Sequence, residues 1–130
     1  MPLNKKFYIL KMVANPFAAL QLARMSGRAF TVAISALPCI VILLNNNNNE
    51  QRALALLRNV LSSLGDLHMF NHFAQFIDSI GHIRQAVELL EQGNAAESVG
   101  RIETAHNLLE GLQQHLQALL VAAQQQPQHP

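Results

Sequence analysis

A chain of 130 residues, half of them apolar, is long enough for one domain with a real core. Its single cysteine, Cys39, excludes an internal disulfide and any paired-cysteine zinc or redox centre. The formal net charge of +1 hides an asymmetry: residues 1–44 hold Lys5, Lys6, Lys11, Arg24 and Arg28 and no acid, whereas the remainder holds four arginines against eight acids and is a poor nucleic-acid surface.

In chain order, residues 1–14 place Lys5-Lys6 ahead of Phe7, Tyr8, Ile9 and Leu10, a pattern open to a strand or to the charged start of a targeting segment. Asn15-Pro16 offers a cap and a first-turn proline, so a short helix is expected over Phe17–Met25, ended or kinked near Ser26-Gly27. Ala29–Leu44 reads AFTVAISALPCIVILL, without a charge. Its first reading is buried core, either as a helix up to Pro38 or as two β-rich runs, Phe30–Ser35 and Cys39–Leu44.

The alternative for Ala29–Leu44 is a membrane segment. As a helix it spans about 24 Å at ~1.5 Å per residue, short of a hydrocarbon core of roughly 30 Å. The preceding cations would leave residues 45–130 on the far side. A cleaved signal peptide fits less well, because the basic region is long and no A-x-A site follows; a mitochondrial-type presequence is basic and acid-free in the same way but richer in serine.

Asn45–Asn49 is a run of asparagines, read as a solvated linker whose last residues can cap a helix. In Glu50–Leu64, Leu54, Leu57, Leu61 and Leu64 step by helical spacing. Ala53, Leu56 and Val60 broaden that face, so the helix is expected to pack on two sides. Gly65 then ends the helix and Asp66 caps the next.

Two long stripes follow. Met69, Phe73, Phe76, Ile80, Ile83, Val87 and Leu90 alternate steps of four and three, widened by Phe70, Ile77 and Leu89. Ile102, Ala105, Leu109, Leu112, Leu116, Leu119 and Ala123 repeat the rhythm, flanked by Val99, Leu108 and Leu120. The heptad-like spacing suits a coiled-coil seam. Gly93 suits a left-handed residue past a helix end, and Asn94 with Glu97 suits a capping box. Glu97 and Arg101 are spaced as an i, i+4 ion pair. Gly81 and Gly100 are placed to lie opposite each other and permit close approach. The last residues, QQQPQHP, read as a tail, disordered over 126–130.

The fold class is therefore all-α: an antiparallel helical bundle with three helices in residues 50–125, a long hairpin over 66–125, and an N-terminal 1–44 open between helix and short β-rich runs. The organisation is a basic apolar segment 1–44, a poly-Asn linker 45–49, a helical domain 50–125 and the tail. A fourth helix, from residues 16–37 or from a second subunit, would close the bundle.

Few residues suggest chemistry. His68 and His72 stand at i, i+4 on the expected helix, the spacing for two imidazoles to share a metal, but no third strong ligand has a fixed spacing, so no metal or other cofactor is expected. His106 and His115 lie beside the second stripe as surface or partly buried histidines. Cys39 is expected to be an inert buried thiol. No phosphate-binding glycine loop or nucleophile elbow occurs, and the carboxylates spread over helix surfaces. The chain is read as non-enzymatic, with no catalytic residue.

The segment HIRQAVELLEQGNAAESVGRIETAHNLLEGL, His82–Leu112, resembles the central helices of the flagellar export chaperone family. The resemblance covers about a quarter of the chain, leaves the N-terminal half unmatched and carries over no site residue. It implies a helical binding protein.

The functional expectation is a protein-protein interaction module: a small chaperone, adaptor or assembly subunit, forming a homodimer or binding another protein through apolar helix faces. Leu116, Leu119 and Leu120 are the partner-binding candidates. No nucleic-acid partner is expected, and the location is cytoplasmic. The alternative is a membrane-associated subunit anchored by Ala29–Leu44, with a soluble helical head.

Overall fold

A computed structural model describes residues 16–46 and 49–125, with side chains described except at 16–26, 69, 120 and 123–125. Four helices follow one another: α1 Pro16–Asn45, α2 Glu50–Gly65, α3 Ala74–Glu91 and α4 Ala95–Gln125, with a 3-10 turn at His68–Phe70 between α2 and α3. No strand occurs among the described residues. The expectations for residues 1–14, the Asn15 cap, the middle of the asparagine run and the tail at 126–130 lie outside them.

Each helix packs mainly on two neighbours: α1 on α2 and α4, α3 on α2 and α4. Short connections reverse the chain each time, so the four helices close an up-down ring. The fourth wall is α1 of this chain. At the closing seam Gln113 Nε2 of α4 donates to Thr31 Oγ1 of α1 at 3.2 Å. The lengths are unequal. α1 has 30 residues and α4 has 31, against 16 in α2 and 18 in α3. The Thr31–Gln113 contact puts the surplus of both long helices at one end.

α1 runs unbroken through Ser26-Gly27 and through Pro38, which corrects both the expected break and the two β-rich runs. Phe30, Ala33, Ile34, Leu37, Ile40 and Leu44 form one buried stripe. Pro38 has no N–H, so the Ile34 carbonyl loses its helical donor, at a cost of about 3 kcal/mol. Burying a large apolar side chain gives roughly 1.5–3 kcal/mol, and the stripe holds several, so burial outweighs the proline. Pro38 itself faces outward.

In α2 the buried residues are Ala53, Leu57, Val60 and Leu64. Leu54, Leu56 and Leu61 are half-buried flanks. The centre of the face is thus displaced from the expected leucine stripe toward Ala53 and Val60. α2 fills a corner between α1 and α3 and uses both flanks.

The hairpin starts later than the spacing suggests. Gly65 does not take a left-handed conformation; among the described glycines Gly93 alone has a positive φ. Asp66 ends α2 in helical geometry, its N–H bonding back to the Ser62 carbonyl at 3.2 Å, and does not cap the next helix. The chain then turns Leu67 and Phe70 inward. The Phe70 ring lies 5.1 Å from Phe30 and 5.7 Å from Phe76. Asp, His, Asn and Phe are weak helix formers, so Asp66–Phe73 gives little local resistance to a compact turn that buries two large side chains.

At the tight turn between α3 and α4, Gly93 takes φ 81. Its N–H bonds to the Leu90 carbonyl at 3.0 Å, and that of Asn94 to Leu89 at 2.8 Å. These bonds satisfy carbonyls left over at the helix end. Asn94 Oδ1 accepts from the Glu97 N–H at 3.4 Å, half of the expected capping box; the other half is absent because the Asn94 N–H is already engaged. Phe76, Ile80, Ile83, Val87 and Leu90 face Ile102, Ala105, Leu109 and Leu112 across a buried seam. Ser79 and Ser98, also buried, donate to the Phe76 and Ala95 carbonyls at 2.7 Å.

Three expectations fail on the hairpin. Ile77 is 47% exposed and does not widen the stripe. A Cβ at Gly81 or Gly100 would meet nothing within 4 Å, so neither provides close approach. Arg101 turns to His82 Nδ1 at 3.3 Å across the hairpin and does not pair with Glu97. The ion pair among the described residues is Arg58–Glu91 at 3.4 Å, and His106 Nδ1 lies 3.3 Å from Glu110 Oε1.

Candidate functional site

The site follows from what the ring leaves uncovered. Among the described side chains of α4, Leu112 is the last that is fully buried, yet the helix continues to Gln125. On that continuation Leu116 is half-buried against the core, Leu119 is 48% exposed and Val121 is 50% exposed. The Leu120 side chain lies outside the described set. Of the three residues expected to bind a partner, Leu119 is open to one, on the same face as half-buried Leu116; Val121, two residues on, is exposed on the other side of the helix.

A second surface lies on α1. Arg28, Val32, Ser35, Cys39 and Ile42 step by four, three, four and three along its outward side, and all are exposed. Val32 is 61% and Ile42 58% exposed. Cys39 therefore faces out, correcting the buried-thiol expectation: with Leu37 and Ile40 turned inward, helical spacing turns Cys39 away. Beside the stripe, an open groove of about 510 Å³ runs between α1 and α2, lined by Ala29, Val32, Ala33, Ala36, Leu56 and Val60, with Arg28, Asn59 and Ser63 at its rim.

The charges are layered in the same way. α1 and α2 hold Arg24, Arg28, Arg52 and Arg58 against Glu50 alone. α3 and α4 hold Asp78, Glu88, Glu91, Glu97, Glu103 and Glu110 against Arg84 and Arg101. One side of the ring is basic and partly apolar, the other acidic.

The described histidines do not gather. His68 lies in the 3-10 turn and His72 in the connection after it, so the i, i+4 relation expected on a helix is absent. Among the described residues no group of three His, Cys, Asp or Glu side chains is placed to hold a metal. His72 and His115 instead stand edge-on to Phe73, at 5.4 and 6.2 Å between ring centres. His106 partners Glu110 and His82 partners Arg101.

The α1 surface escapes sequence reasoning because its inward and outward residues are almost equally apolar. The available signal is the lack of charge at the 32, 35, 39, 42 spacing, since a helix face turned to water ordinarily carries charge. Gly27–Asn45 has a mean hydropathy of 2.0, long and apolar enough to cross a membrane, with 33% of the window buried in the bundle. Comparison with protein-family models, curated proteins and solved structures finds no match to this chain.

Proposed function

We propose that this protein is a non-enzymatic helical interaction module that self-associates through the end of α4. The observation that carries the reading is the continuation of α4 beyond Leu112, with Leu119 left half-exposed beside half-buried Leu116 on one face and Val121 half-exposed on the other. A helix that outlasts its core and keeps apolar side chains in water is stabilised when a second apolar helix covers them. The role is that of a small adaptor, chaperone or assembly subunit, and its partner is a second copy of the chain.

The test is sedimentation of the full chain over a concentration series, beside a variant with Leu119→Asp and Val121→Asp. Wild type is expected to associate with rising concentration and the variant to remain monomeric with unchanged helical content. A wild-type protein that stays a well-folded monomer, indifferent to both changes, removes the reading.

The alternative is a membrane-anchored subunit with Ala29–Leu44 in the bilayer, favoured by the hydropathy of Gly27–Asn45. Against it stands the stripe Phe30, Ile34, Leu37 and Ile40, already buried on α2 and α4. Recovery in the soluble fraction without detergent excludes the anchor.

A further inference from the structure

The α1–α2 side combines two properties that the opposite side lacks. Its outward helix face is uncharged from Ala29 to Leu44, and its charged residues are arginines with Glu50 the single acid. The α3–α4 side carries the acids. In the sequence, Lys5, Lys6 and Lys11 precede α1, again with no acid among them.

We propose that this side docks on an anionic lipid bilayer, with α1 lying along the headgroup region and the bundle intact. Val32, Cys39 and Ile42 enter the boundary between headgroups and acyl chains, and Arg28 and Arg52 meet the lipid phosphates. Two observations converge on lipid. The exposed stripe sets Val32, Cys39 and Ile42 beside Arg28, with Arg52 on the adjoining helix and no acid on the stripe. A bilayer surface asks only for apolar area beside cations. The acidic α3–α4 side would be repelled by the same surface, so the charge layering also sets the orientation. The helix lies flat because its other face is occupied: Phe30, Ile34, Leu37 and Ile40 are buried against α2 and α4. The proposal does not rest on self-association through α4.

The experiment is co-sedimentation of full-length protein with vesicles of phosphatidylcholine alone and of equimolar phosphatidylcholine and phosphatidylglycerol, at low and high salt. Binding to the mixed vesicles is expected, at least about tenfold weaker on phosphatidylcholine alone and falling as salt rises. Val32→Glu with Ile42→Glu reduces binding at least about tenfold. Ile77→Glu, a change at another exposed apolar residue on the acidic side, leaves binding as it was. A polarity-sensitive dye on Cys39, the chain's single cysteine, shifts to the blue on mixed vesicles.

Thermal melts accompany every variant. Should the Val32, Ile42 pair destabilise the fold, Arg28→Glu with Arg52→Glu reads the same face through charge alone. Lack of binding to the mixed vesicles overturns the proposal, as does an equal loss in Ile77→Glu. Protein that resists high salt and needs detergent for release also overturns it, because α1 would then span the bilayer. The same holds if the Val32, Ile42 pair disrupts a protein complex with no vesicle binding in wild type.

Discussion

Leu37→Ala measures how firmly α1 belongs to the core. Leu37 is fully buried in the α1 stripe, one turn before Val41 and beside Pro38. The change removes three carbons. At about 0.8 kcal/mol for each buried methylene, the transfer loss is about 2.4 kcal/mol. A residual cavity in a site closed by α2 and α4 raises the total to roughly 3–4 kcal/mol. For a domain of this size the melting point should fall by roughly 10 °C. Val32→Ala on the same helix removes two carbons from an exposed side chain and should change stability by less than about 0.5 kcal/mol. Urea unfolding followed by helical circular dichroism gives both values on one scale. If the two variants lie within about 1 kcal/mol of each other, Ala29–Leu44 does not pack in the bundle and the assignment of α1 to the core is wrong.

Other substitutions probe the turns. Gly93→Ala places a Cβ on a residue at φ 81 and should cost about 1–2 kcal/mol; Gly100→Ala, in an exposed helix position with open space around a Cβ, should instead stabilise by about 0.5–1 kcal/mol in the same urea assay. Asn94→Ala removes the acceptor for the Glu97 N–H and should cost about 1 kcal/mol by thermal melting, with Asn94→Ser restoring most of it. Pro38→Ala returns a donor to the Ile34 carbonyl at an exposed site and should stabilise by about 1–2 kcal/mol, part of the helical gain being offset by a freer unfolded chain. A loss of stability there would mean that Pro38 shapes α1 for its packing on α2 and α4.

What the sequence makes legible is whatever depends on local spacing. The seam of Phe76–Leu90 against Ile102–Leu112 is written in steps of three and four, and Gly93-Asn94 announces its turn through backbone chemistry that few other residues satisfy. Residues 29–44 resist because apolar side chains surround the helix: which of Val32 and Leu37 faces inward is decided by α2 and α4, not by the segment itself. Pro38 and the β-branched run invite a β reading that only tertiary burial overturns. The 66–73 connection fails for a related reason. Met69, Phe70 and Phe73 fit a helical stripe by number, yet Phe70 gains more by turning onto Phe30 and Phe76. Of the candidate surface, Leu119 follows from the heptad rhythm, whereas the α1–α2 face depends on bringing two helices side by side.

The ring closes between its first and last helices, with Thr31 and Gln113 separated by 82 positions in sequence. Three of the four seams join neighbours through short turns and need little chain entropy to form. The α1–α4 seam must bring together segments separated by most of the bundle, and closure entropy grows with that separation. Folding is therefore expected to form the three short-turn seams first and to close the α1–α4 seam last. In the native state the same ordering reverses, so the α1–α4 seam is the one that opens at the lowest free energy. Amide hydrogens along Phe30–Leu44 should then exchange before those of Phe76–Leu90.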